Sequence, residues 1–386
     1  IPDSQIADIP FYKPADDSPE MRYMHRVRQD LNGYLPARRN DFEALDTPAL
    51  SDKSFTAMLE GSKGREFSST MAFVRILNGL TRDKNLGKQI VPIIPDEART
   101  FGMEGMFRQL GIYSAIEQKY KPEDSGQVMY YKEDTKGQLL EEGITEAGAM
   151  SAWIAAATSY SNHNYTLIPF YIYYSMFGFQ RIGDLAWAAG DSQARGFMIG
   201  ATAGRTTLEG EGLQHQDGHS QLQAALIPNC RTYDPTYSYE VAVLVQDGLE
   251  RMFKHKENCF YYITTMNENY VHPEMPEREG VAEEIIKGMY LLKEGKDSQL
   301  KVQLMGSGTI LLEVEAAAEL LAEDWGVEAD VWSATSFNEL RREALGVERK
   351  NFLNPEAEAE KPFITQQLEG RQGPVIAATD YMKLFA

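Results

Sequence analysis

The sequence predicts an α/β fold with mostly parallel sheets flanked by helices. Three observations carry that expectation. Short β-prone runs alternate with helical periodicity between residues 67 and 265. A compact strand–turn–helix–strand pattern follows at 301–333. Hydrophobic residues make up 43% of the 386-residue chain, enough for a packed core. No apolar run reaches the ~20 residues that a membrane helix needs.

In order along the chain, residues 1–45 carry Pro2, Pro10, Pro14, Pro19 and Pro36 among alternating charges. They read as a connector with one helix around Met21–Asn32, preceded by another domain. Phe67, Met71, Val74 and Leu77 keep helical spacing. Gln89–Ile94 reads as a buried strand. Thr145–Ser159 reads as a helix with Met150, Ile154 and Ala157 on one face. Thr166–Met176 is strongly β-prone, and its aromatic run to Phe179 reads as a packed strand reaching a surface. Gly196–Gly200, Ala225–Tyr233 and Cys259–Thr265 are further strands, with a helix over Tyr239–Phe253. Pro273, Pro276 and several acids make 272–285 a second linker. A middle domain at 46–275 and a C-terminal domain at 276–386 are therefore expected. In the latter, Lys301–Met305 and Glu328–Ser333 are strands around a helix at Ile310–Asp324. Val314, Ala317, Leu321 and Trp325 line its buried stripe, and Gly326 is its C-cap. Pro374–Ala378 is a last strand, and Asp380–Ala386 resembles the first turns of a further helix.

The formal net charge of -19 disfavours phosphate backbones and anionic membranes as partners. The N-terminus shows neither a basic n-region nor an apolar h-region of a signal peptide. Two cysteines, Cys230 and Cys259, form no CxxC or zinc spacing. Free buried thiols in a reducing cytoplasm are the default.

Glu146 stands at the start of an apolar helix, just after a turn. The plain alternative is an acid favoured by the helix dipole by about 0.3–1 kcal/mol. The functional reading is a partly buried carboxylate that shares a proton with a ring nitrogen. Asp96-Glu97 follows a strand, where acids are ordinarily solvated, but ligands of open α/β sheets sit at those strand ends. Phe177 and Tyr174 are ordinarily core residues. His215-Gln216-Asp217-Gly218-His219 places two histidines four apart, a spacing that can bind zinc on a helix. Its glycines and the preceding Gly210-Glu211-Gly212 argue for a loop, and His215 for acid–base work. His25, His163, His255 and His272 have no partner pattern. Gly306-Ser307-Gly308 lacks the third glycine of a dinucleotide fingerprint, because residue 311 is Leu311; it reads as a tight βα turn. The sequence contains no Walker A loop, no GxSxG elbow, and no Gly-Asp-Gly with a downstream Asn for magnesium diphosphate.

Ile93–Glu104, Glu141–Gly148, Ser175–Arg181 and Leu213–Ser220 together resemble the transketolase-like superfamily of thiamine diphosphate enzymes. Within it, the chain is most similar to the homodimeric bacterial pyruvate dehydrogenases, across essentially its whole length. The resemblance implies a thiamine diphosphate-binding fold, with a pyrimidine-binding middle domain and a truncated C-terminal domain. It implies that Glu146 bonds the aminopyrimidine ring nitrogen, Phe177 stacks on the ring, and Ile144 holds the cofactor bent. Asp96 and Glu97 are implied at the dimer interface near the cofactor, and Tyr174 and His215 facing the substrate. The implied reaction is oxidative decarboxylation of pyruvate with reductive acetylation of the lipoyl group of dihydrolipoyl acetyltransferase. The implied setting is a cytoplasmic homodimer with Mg2+, whose ligands lie in a domain before residue 1. The chain alone is then expected to be inactive. Another 2-oxo acid dehydrogenase, a transketolase, or a non-catalytic dimerisation module are the alternatives.

Overall fold

The computed structural model describes residues 1–31, 33–34, 39–95, 98–123, 131–208 and 212–386. Six parallel strands form the larger sheet. Their spatial order is Leu140–Glu141, Ile90–Ile94, Ile168–Tyr174, Phe197–Ala201, Phe260–Thr264 and Cys230–Tyr233. Ile168–Tyr173 is buried throughout, as a strand covered on both faces must be. In register, Phe170 lies opposite Pro92 on one side and Phe197 on the other, and the Phe170 and Phe197 rings stack at 4.5 Å. Helix Glu146–Ala157 packs on strand Ile168–Tyr174 and on helix Ser175–Asp191.

A second, four-stranded sheet holds Tyr290–Lys293, Glu328–Ser333, Lys301–Gly306 and Val375–Ala378 in that order, the first strand antiparallel and the rest parallel. Gly306 ends its strand where a Cβ would lie 2.7 Å from the Leu311 Cα, so glycine lets helix Ile310–Trp325 approach. Gly326 caps that helix at φ 63°, as expected of a left-handed C-cap.

The two units share polar contacts. The buried Glu240 carboxylate accepts from Ser333 and Tyr290 hydroxyls, both at 2.6 Å, and from the Thr236 and Tyr237 backbone. The outer strand Cys230–Tyr233 is covered by helix Phe337–Leu353 and the residue before it. Arg342 donates to the Pro228 and Cys230 carbonyls at 2.5 and 2.7 Å, and Ser336 to that of Thr232 at 2.5 Å. Arg231 and Glu339 form an ion pair at 2.7 Å across the same seam. Cys230 and Cys259 are free and buried.

Several expectations need correction. Phe177 lies on a helix, not a strand: the strand stops at Tyr174 and a helix runs over Ser175–Asp191. Phe179, Ile182, Ala186 and Ala189 are buried at helical spacing, and that burial outweighs the local β-propensity. Ala225–Tyr233 is strand only from Cys230; Ser220–Ala225 is helical. The 272–285 segment is not all linker, since a helix spans Val281–Lys287. Ala318, not Ala317, joins Val314 on the buried stripe, and Trp325 is 74% exposed. Asp380–Ala386 forms no helix; it instead buries Tyr381 and Phe385 against Phe337 and Trp332. Helix Phe337–Leu353 was not expected. The connector helix occupies Pro19–Asp30, close to its expected place.

Candidate functional site

Strand Ile90–Ile94 ends beside the turn that leads to Glu146. The Glu142 N–H donates to the Ile94 carbonyl at 2.9 Å, and Gly143 turns at φ +72°. That turn leaves Ile144 84% exposed. Burial pushes the Glu142 carboxyl above the usual carboxylate range. Thr145 then caps the helix, its hydroxyl accepting from the Gly148 N–H at 3.2 Å.

Glu146 therefore lies in the first helical turn, at the positive end of the helix dipole, and is only 8% exposed. Its Oε1 is 2.7 Å from the Arg181 Nη1. The Arg181 guanidinium also lies 4.6 Å from the centre of the Phe177 ring, a cation–π contact. Arg181 stands four residues after Phe177, one helical turn on, so one face of the helix presents both.

A half-buried aromatic group adjoins this pair. Tyr174, the last strand residue, meets Phe177 at 5.3 Å and Phe101 at 5.2 Å. The His215 ring lies edge-on to both Tyr174 and Phe177, at 4.8 and 5.2 Å. Beneath them Tyr171 stacks on Tyr173 at 4.6 Å, and its hydroxyl donates to the Glu146 carbonyl at 3.4 Å. Burial raises both phenols, so they stay protonated.

His215 ends a single 3-10 turn, Leu213–His215. The loop after it is held by Asp217, which is fully buried. The Asp217 carboxylate accepts from the His219 and Ser220 N–H groups at 3.0 and 2.9 Å and from the Ser220 hydroxyl. The Tyr262 hydroxyl donates onward to Ser220 at 2.7 Å.

The structure thus links Glu146, Phe177, Tyr174 and His215 through Arg181 and ring contacts, with Ile144 on the adjoining turn. Asp96 and Glu97 lie outside the described residues. Among the described residues, no group of three His, Cys, Asp or Glu side chains could hold a metal ion, and none of the helices is long and apolar enough to cross a membrane. Sequence reasoning gave Arg181 no role and took Asp217 only as the acid between the two histidines. An arginine one turn after a half-buried aromatic, and an aspartate three residues before a helical serine, were the signals available.

Residues 45–273 match the family model for the pyruvate dehydrogenase E1 component middle domain, and residues 288–386 that for the transketolase-like C-terminal domain. Similar proteins include the pyruvate dehydrogenase E1 components of Pseudomonas aeruginosa, 61% identical, and of Cupriavidus necator and Escherichia coli, each 57% identical. In each case the whole chain is covered, and it spans 43% of the relative's length. Among solved structures, transketolase from Campylobacter jejuni aligns at a TM-score of 0.57 with 18% identity, covering 94% of this chain and 44% of that one. Transketolase from Leishmania mexicana aligns at 0.59 with 13% identity, covering 86% and 42%. These show that the fold is transketolase-like. By the match over its larger unit, the chain belongs to the pyruvate dehydrogenase E1 component family.

Proposed function

We propose that this chain holds the aminopyrimidine ring of thiamine diphosphate in a full-length enzyme that oxidatively decarboxylates pyruvate. The carrying observation is the Glu146 carboxylate, buried at a helix N-terminus beside the half-buried Phe177 ring, within the residues that match the middle-domain family. Those residues fit the group. A buried carboxylate can hold a proton at a ring nitrogen, Phe177 offers an aromatic face, and Ile144 offers exposed apolar surface beside them. When bound, thiamine diphosphate supplies a nucleophilic carbon whose cationic ring can take up the electrons left by departing carbon dioxide.

The side chains of this chain act around it. Glu146 keeps a proton at the ring nitrogen, and Arg181 holds one oxygen of that carboxylate, Oε1, in place. Tyr174 and His215 offer hydrogen bonds to the substrate's oxygens, with His215 as the acid–base group. We place Asp96 and Glu97 at the interface of a homodimer, near the cofactor. We divide the chain into a connector at 1–45, a pyrimidine-binding domain at 46–275 and a C-terminal domain at 276–386. Mg2+ would be held by a part of the full-length protein outside these domains. The acetyl product passes to the lipoyl group of dihydrolipoyl acetyltransferase, in the cytoplasm. The chain by itself is expected to be inactive. A split-gene transketolase described as an inactive beta4 tetramer aligns over 89% of its length at a TM-score of 0.50.

The test is pyruvate-dependent dye reduction with thiamine diphosphate and magnesium, on the full-length protein and on residues 1–386 alone. Turnover by the full-length protein only is expected, with pyruvate preferred over longer 2-oxo acids. Glu146→Ala should lower it roughly 10²–10⁴-fold with circular dichroism unchanged. Near-normal turnover in that variant would remove Glu146 from the mechanism. Preference for a longer 2-oxo acid would replace pyruvate as the substrate.

A further inference from the structure

We infer that Asp380 is a positioning residue for His215, acting from the four-stranded unit on two loops of the six-stranded one; the inference rests on the site reading above. Asp380 stands two residues after strand Val375–Ala378 and is buried, at 8% exposure. One carboxylate oxygen accepts from the Arg205 and Thr206 backbone N–H groups at 2.9 and 3.2 Å, and the other from the Thr206 hydroxyl at 2.9 Å. The Asp380 carbonyl accepts from the Arg205 Nε at 2.7 Å. Two residues on, the Met382 N–H donates to the Gly218 carbonyl at 3.1 Å.

Those contacts close a ring. The Asp217 N–H donates to the Gly204 carbonyl at 3.0 Å, tying the 204–206 loop to the loop that carries His215. Both loops are therefore bound to each other and to Asp380–Met382. Gly204, at φ +97°, is part of the fit: a Cβ there would lie 3.0 Å from the Asp380 carboxylate. His215 stands two residues before Asp217, and its ring contacts Tyr174 and Phe177. Among the described residues, the carboxylate that accepts from the Arg205 and Thr206 N–H groups comes from the four-stranded unit. Charge-assisted hydrogen bonds of this kind are directional as well as strong, so they set the loop's place and not only its stability. A small misplacement of an acid–base group lowers turnover without abolishing binding.

The test uses the full-length protein with Asp380→Ala, Asp380→Asn and Arg205→Met. Hydrogen exchange of the 212–220 amides is followed beside pyruvate kcat, KM and thiamine diphosphate affinity. Asp380→Ala should speed exchange there about tenfold and lower kcat roughly tenfold, with cofactor affinity within about twofold. Asparagine keeps an oxygen for the two N–H groups and an amide for the Thr206 hydroxyl, so Asp380→Asn should return both readings to within about threefold of wild type. If Asp380→Ala fails to fold, Arg205→Met should still speed exchange at 212–220 by a smaller factor. Unchanged exchange in the folded variants, or faster exchange with kcat and KM unaltered, would overturn the assignment. Absence of pyruvate turnover in the wild-type protein would instead overturn the functional reading, while the exchange comparison still decides whether Asp380 orders the loop.

Discussion

Glu146, Arg181 and Phe177 form a chain of two contacts in which a surface cation links a buried carboxylate to an aromatic face. Glu146 was legible because a lone acid opening an apolar helix after a turn is a local pattern. Its partner was not, because Arg181 lies 35 residues away and an ion pair formed by folding leaves no local spacing. Gly178 shows how tightly the floor of the site is built. A Cβ there would sit 2.4 Å from the Tyr173 ring. Overpacking of this kind costs about 1–3 kcal/mol, and the helix-propensity gain of replacing glycine by alanine, about 1 kcal/mol, offsets part of it. Gly178→Ala should therefore lower the urea midpoint with an unchanged m value. A variant more stable than wild type would show that the ring moves aside freely.

At the scale of elements, the change from strand to helix at Ser175 was the least legible feature around the site. Tyr171–Phe179 holds five aromatic residues among nine, so period-2 and period-3.6 patterns cannot be told apart there. The clamp between Glu66–Phe67 and Tyr270–Val271 was also hidden. Next to it, His272 accepts from the Ser238 N–H at 3.0 Å and binds the Phe67 carbonyl at 2.8 Å. These partners lie 34 and 205 residues away, which is why the sequence offered none. Burial lowers His272 to about 4. The unfolded chain takes up a proton near pH 6.5 that the folded one refuses, so this group's contribution falls as pH drops from about 6.5 to about 4. The stability gap between wild type and His272→Ala should narrow from pH 7 to pH 5 in urea titrations. An equal gap at both values would mean that the imidazole is not held neutral.

Across the whole molecule, the alternation of strands and helices was legible because strands buried on both faces read as apolar runs. The order of strands was not: Cys230–Tyr233 precedes Phe260–Thr264 in sequence yet lies outside it in the sheet. Helix Phe337–Leu353 escaped notice because only Phe337, Glu339 and Leu340 are buried, too few for a periodic stripe. Where the two units meet, Asp234 is fully desolvated, with its backbone bonded to Thr335 and Gly308. Burial pushes its carboxyl up to about 7, and Asp380 and Asp217 add to the rise. The folded state holds this proton more tightly than the unfolded one. The resulting stabilisation is complete below about pH 3.8 and is lost as pH rises through about 7. Asp234→Asn should therefore gain thermal stability relative to wild type between pH 5 and pH 8. A difference in melting temperature that is the same at both would show that Asp234 does not titrate there.

The covering of Cys230–Tyr233 by Ser336 and Arg342 has a consequence for how the chain can be cut. Those two side chains occupy the carbonyls along an otherwise open sheet border. A version ending before Ser336 would bare a row of unsatisfied acceptors flanked by apolar side chains, the kind of edge onto which a second copy can add its own strand. Shortened forms should therefore come out of solution as cross-β aggregates long before the larger sheet itself unravels.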